Sequence, residues 1–331
     1  MTAQVYRNGR RLALEASASS IQWIGSAAWF ALGDGSVVRA SPAEGDTRFG
    51  VHNGAILCAA RHPDGARLVT GGDDGLIAAL SVGGAVAPIA QYSKWIDHLT
   101  ASAASGILVA GIGRDAVVFK GDAEVHRFSH PSSIGGIAMD QKGRRLAASH
   151  YGGVTLRYAL MPDDRGVALQ WTGSHLAVTL SPDSAYVISA MQENALHGWR
   201  LPEKTDLRMD GYPAKTKSLS WDKRGRWLAT SGAPSAIVWP FVGKLGPQGK
   251  APLQLAARDA LVTCVAFHPS QDVVAIGYSD GAAVAVRLAD EVRIDLDEPG
   301  EGPVTTLAWS PDGDYIAIAD EAGRGALIQT T

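Results

Sequence analysis

The sequence predicts an all-β chain folded as a single eight-bladed β-propeller of four-stranded antiparallel blades. Three observations lead there. Short runs alternate apolar and polar residues and break at turn residues every 8 to 12 positions, the pattern of antiparallel strands with one buried face. A unit of about 41 residues recurs along the chain. No segment sustains apolar residues at i, i+3, i+4 and i+7, so almost no helix is expected.

The repeat is marked by its turns. "RHPDG" stands at 61–65, "SAASG" at 102–106, "MDQKG" at 139–143, "LSPDS" at 180–184, "WDKRG" at 221–225, "FHPSQ" at 267–271 and "WSPDG" at 309–313. A strand precedes each turn, as in "ILCAA" or "VTCVAF", and another follows, as in "RLVTGG" or "VVAIGY". A Gly/Asp-rich turn then leads to a third run, such as "LIAAL", and a more variable fourth, such as "EVHRF". Four strands per unit cannot bury their faces alone, so the units must stack and the ring must close. Residues 21–40 form one further unit ahead of the first Pro-Asp-Gly turn, with Asp34 matching Asp74. The expected blades are 17–53, 54–94, 95–132, 133–174, 175–215, 216–258, 259–302 and 303–331. The last lacks a fourth strand, which residues 5–16 supply. The alternative is seven blades, with residues 1–40 as a cap or an incomplete blade.

Composition narrows the function. The chain has 331 residues, 46% hydrophobic and 19% charged, as in a globular protein. A formal net charge of −3 argues against a general nucleic-acid binder. No run approaches 18 apolar residues, so no membrane span is expected. Residues 1–11 lack a secretory pattern, and the expected setting is cytoplasmic. Cys58 and Cys264 occupy the same site of two units, too far apart for a disulfide, and read as small buried residues.

The stretch Leu68 to Ile77, with Trp199 and Trp239 at third-strand positions, resembles the WD-repeat family. His52 and His130, each four residues before an isoleucine, stand where that family often has its Gly-His pair. The resemblance covers nearly the whole chain, in eight imperfect copies. It departs at the signature itself: Arg200 follows Trp199, Pro240 follows Trp239, and Leu80, Tyr158 or Val286 replace the Trp in other copies. The resemblance implies a buried network joining Asp74 to His52 and Thr70. Asp34 and Asp280 occupy equivalent turns.

The carboxylate pair Asp73-Asp74 thus reads as a hairpin turn, since a calcium loop spaces its ligands at alternate positions. "GIGRDA" at 111–116 matches part of a dinucleotide fingerprint, yet a strand follows where a helix N-terminus is required. "GKLGPQGK" at 243–250 misses phosphate-loop spacing. The nine histidines show no metal-binding spacing, and no Gly-x-Ser-x-Gly elbow occurs. No cofactor, metal or catalytic residue is expected.

The resemblance implies a non-catalytic scaffold for a protein or peptide partner, as a monomer or a subunit of a complex, with no nucleic-acid or membrane partner. The alternative is a propeller hydrolase or lyase with a site at the channel mouth. Partner contacts are expected on the loop-rich face, from Asp73, Lys94, Trp95, Arg114, Tyr151, Gln192, Tyr212 and Tyr278. Exposed aromatics beside Arg are the usual chemistry of a binding hot spot.

Overall fold

A computed structural model of the chain describes residues 9–201, 203–243 and 245–330. Residues 5–8 of the expected N-terminal strand, and Lys244 of the Gly-rich loop, lie outside them. Among the described residues there is no helix, and none long and apolar enough to cross a membrane.

The strands form antiparallel sheets in chain order, arranged as propeller blades. Six of the sheets have four strands: residues 18–50, 56–91, 98–129, 219–255, 262–297, and 304–329 with Gly9–Ala13. The seventh, residues 136–209, has six strands. The expectation of eight separate blades is therefore corrected to seven. The expected units 133–174 and 175–215 share one sheet because two strands of 14 residues, Arg145–Tyr158 and Val167–Leu180, run on where breaks were expected. Ser174 sits at the junction and is paired on both sides. It aligns with Tyr151, and its carbonyl accepts from the Gln192 amide at 3.0 Å. The connection from one unit to the next thus stays extended, with residues 171–173 taken up in a register shift between the Gln170 and Ser174 pairings. The other route to seven fails too, since residues 18–50 form a complete sheet and not a cap.

The ring closes as expected at the termini. Gly9–Ala13 pairs antiparallel with Arg324–Gln329, aligning Leu12 with Gly325. First strands pack against those of neighbouring sheets, as Ala18–Ile24 does against Ile56–Arg61 and Val304–Trp309, while outer strands such as Asp46–Gly50 are largely exposed. Third strands such as Ser36–Ala40 are buried on both faces.

The core is a ring of interfaces between blades. Leu12 and Leu327 of the last blade pack with Ile21, Trp23 and Phe30 of the first. Val238 and Leu255 pack with Val265, Ile276 and Val284 of the following blade. Each such side chain stabilises the fold by about 1.5–3 kcal/mol when fully buried. Trp rings also stitch blades by hydrogen bonds: Trp23 Nε1 donates to the Ala308 carbonyl and Trp309 Nε1 to that of Ala266, both at 3.0 Å. The thiols of Cys58 and Cys264 are free, and burial pushes the Cys264 thiol up to about 12.

Candidate functional site

Strand direction alternates within each sheet, so turns divide between two faces. The Pro-Asp-Gly turns lie on one face. The second-to-third-strand turns and the connections between blades lie together on the other.

Gly71 to Gly75 sits on this second face. Asp74 Oδ1 accepts from His52 Nδ1 and from the Leu76 amide, each at 3.0 Å, and its Oδ2 accepts from the Asn53 amide at 3.1 Å. With Nδ1 carrying the proton, His52 Nε2 accepts from the Thr70 hydroxyl at 2.8 Å. Burial alone would raise the Asp74 pKa, but hydrogen bonds from His52, Leu76 and Asn53 outweigh it and lower the value. Asp34 is bound similarly, by the Ser36 amide and hydroxyl and by Arg48 Nη1 at 2.9 Å. Asp280 accepts from the Ala282 amide and pairs with Arg258 at 2.6 Å.

Other blades fill the histidine position differently. Tyr212 stands 18 residues before Thr230, as His52 stands 18 before Thr70, and its hydroxyl meets Thr230 Oγ1 at 2.7 Å. Trp239 Nε1 donates to the same hydroxyl at 2.7 Å. In the six-stranded sheet His175 Nδ1 meets the Ser189 hydroxyl at 2.7 Å, with its ring 5.8 Å from that of the buried Trp199.

These contacts correct two expected partner-binding residues. Tyr212 and Tyr278 are buried, not exposed on the face. The Tyr278 hydroxyl donates to the Ala256 carbonyl, and Arg258 lies over its ring at 4.9 Å. Burial pushes both phenols up to about 12. Both rings are large apolar bodies with a satisfied polar tip, which suits them to the interior.

The remaining six lie along one continuous arc. Turn 72–75 adjoins loop 92–97, where the Ile96 amide donates to the Gly72 carbonyl at 3.1 Å. Asp73 is half-buried, its carboxylate filling the space above Gly54. Lys94 and Trp95 project from the loop, Trp95 62% exposed. The Lys94 side chain lies across Gly113, next to the exposed Arg114. The Arg114 carbonyl accepts from the His130 amide at 2.9 Å, and Ser132 Oγ accepts from the Tyr151 amide at 3.0 Å. Tyr151 is 64% exposed. Gln192, also exposed, follows across Ser174.

Sequence reasoning missed the groups beyond Tyr151. Trp171, Glu193, His197 and Arg208 line a cleft of about 450 Å³ with Tyr151. Trp171 lies near the end of the expected unit 133–174, and the Thr-Gly-Ser after it reads as a break between blades, so no local signal marks it as a cleft wall. Among the described residues no group of three or more His, Cys, Asp or Glu stands ready to hold a metal ion.

A blade-built ring with its bonded turns on one face defines a β-propeller. Residues 46–78 match the family described as WD domain, G-beta repeat, and residues 265–331 match the anaphase-promoting complex subunit 4 WD40 domain. Over these two stretches the chain is similar to the WD-repeat family, as a divergent β-propeller. It is similar to mouse target of rapamycin complex subunit LST8, 25% identical over 36% of this chain and 35% of that protein. It is similar to Arabidopsis thaliana THO complex subunit 3, at 23% identity over 58% of this chain and 60% of that one. The matches span at most about three fifths of these relatives' lengths. The computationally designed protein Ika8 superposes over the whole of both chains with a TM-score of 0.80 at 15% identity, a likeness of fold alone.

Proposed function

We propose that this propeller is a scaffold that binds a protein or peptide partner along the arc from Asp73 to Gln192. One observation carries the reading. Two large aromatic rings, Trp95 and Tyr151, stand 62% and 64% exposed on the same face, with Lys94, Arg114 and Gln192 beside them. Exposed aromatics gain by desolvation against a partner, and polar neighbours fix its register. The two relatives above are named as subunits of complexes, which supports a subunit role for this chain. The setting we propose is the cytoplasm.

The test is affinity capture from the native cell with wild type and with a Trp95→Ala/Tyr151→Ala double variant. Truncating two anchors is expected to cost about 2 kcal/mol or more, roughly 30-fold in affinity. The variant should lose the partner while keeping its melting temperature. Equal recovery by both proteins would place the binding surface elsewhere.

A further inference from the structure

At the end of this arc the six-stranded sheet opens the cleft of about 450 Å³ between the stretches 171–174 and 191–195. Two of its walls are aromatic. Tyr151 is well exposed, and Trp171 is half-buried. The Trp171 ring stacks on His197, centroids 4.0 Å apart at an interplanar angle of 17°. His197 is itself held by Asp206, Nε2 to Oδ1 3.1 Å, and by an edge contact with Trp199. The plane of Trp171 is thus fixed before any ligand arrives.

The charges are uneven. Burial, only partly offset by the Asp206 hydrogen bond, lowers the His197 pKa, so this ring is neutral at pH 7. Arg208 is met by Asp210 at 3.1 Å. Glu193 is exposed and has no ion-pair partner among the described residues. Its carboxylate stands over Gly173, where both oxygens would lie 3.1 Å from an added β-carbon. The cleft therefore brings two aromatic rings together with a carboxylate that has no ion-pair partner among the described residues.

We propose that this cleft receives the guanidinium of an arginine presented by the protein partner, packed against Tyr151 and Trp171 and paired with Glu193. The proposal rests on reading the face as a partner-binding surface. Aromatic faces attract cations through the ring quadrupole, and a carboxylate adds charge-assisted hydrogen bonds. Arginine fits better than lysine because its flat, weakly hydrated cation stacks on rings and donates in a fork, whereas an ammonium holds its water more strongly.

The probe is N-acetyl-arginine amide, titrated into the full chain and followed by NMR. N-acetyl-lysine amide and the uncharged N-acetyl-citrulline amide are the controls. The arginine amide should bind saturably, with shifts centred on Trp171 and Tyr151. The lysine amide should bind at least tenfold more weakly, and the citrulline amide not at all. Glu193→Gln should weaken arginine binding tenfold or more with an unchanged melting temperature. No saturable binding, equal binding of citrulline, or binding unaffected by Glu193→Gln would overturn the proposal. The two readings separate cleanly. Loss of partner capture in Trp95→Ala/Tyr151→Ala without arginine binding leaves the face standing and removes the arginine subsite. Arginine binding with unchanged capture does the reverse.

Discussion

Asp74 collects donors from three parts of the chain: the His52 ring, the Asn53 amide in the connection between blades, and the Leu76 amide in its own turn. Asp73 beside it makes none of these bonds with its carboxylate. Asp74→Ala strands a buried imidazole and two amides, so it should cost about 2–4 kcal/mol. Asp73→Ala should stay within about 0.5 kcal/mol, as a substitution away from such a network does. Urea midpoints of the two variants check this. Acid should act in two windows. His130 is buried with neither ring nitrogen partnered among the described residues, and burial, with His150 and Arg157 nearby, lowers its pKa to about 4. The unfolded chain binds that proton first, so stability falls as pH drops from about 6.5 towards 4, at a slope approaching about 1.4 kcal/mol per pH unit. His130→Leu should flatten the loss in that window. The Asp74 pKa is lowered below 3.8, so its contribution is present above that value and is lost only at still lower pH. The Asp74 network was legible in the sequence because a His, a Thr and an Asp recur at family spacing. The burial of Tyr212 was not, since a tyrosine in a loop reads as exposed. Only its spacing of 18 residues to Thr230 marked it as a stand-in for histidine.

At the scale of turns and strands, backbone geometry decides what substitutes. Gly75 adopts φ +77°, and a β-carbon there would stand 2.1 Å from the Tyr92 carbonyl oxygen of the adjoining loop. Gly106 has φ +70° with nothing within 4 Å of an added β-carbon. Gly106→Ala should therefore cost about 1 kcal/mol, the left-handed penalty alone. Gly75→Ala adds a clash with rigid backbone and should cost more than about 3 kcal/mol. Thermal melts of the pair separate the conformational penalty from the clash. The strands themselves were legible from their period-2 alternation. The merging of two repeat units was not. Proline, glycine or a polar run usually breaks the chain between blades, and Trp171-Thr172-Gly173-Ser174 looks like such a break. Pairing of Ser174 with Tyr151 on one side and Gln192 on the other keeps it extended. That pairing depends on two turns distant in sequence, which no local pattern reports. The same tight junction leaves Trp171 beside His197 and so builds the cleft wall.

Across the whole molecule, buried clusters run from blade to blade, and the first and last blades share one through Leu12, Phe30 and Leu327. Closure by Gly9–Ala13 removes the free edge that Arg324–Gln329 would otherwise present. A closed ring of this kind holds its turns at fixed spacing, so Trp95, Arg114 and Tyr151 form one preorganised surface. The ring and its two faces followed from the sequence repeat. Which loop rings stand in solvent did not, because exposure depends on the neighbouring blade. Partner binding is assigned to this face and not to the Pro-Asp-Gly face. Site-specific photocrosslinking tests that assignment most directly, with a photoreactive residue placed at Trp95, at Tyr151, or at Lys223 on the opposite face. The same crosslinked protein is expected from positions 95 and 151, and none from 223. A partner captured from 223, with none from 95 or 151, would contradict the assignment.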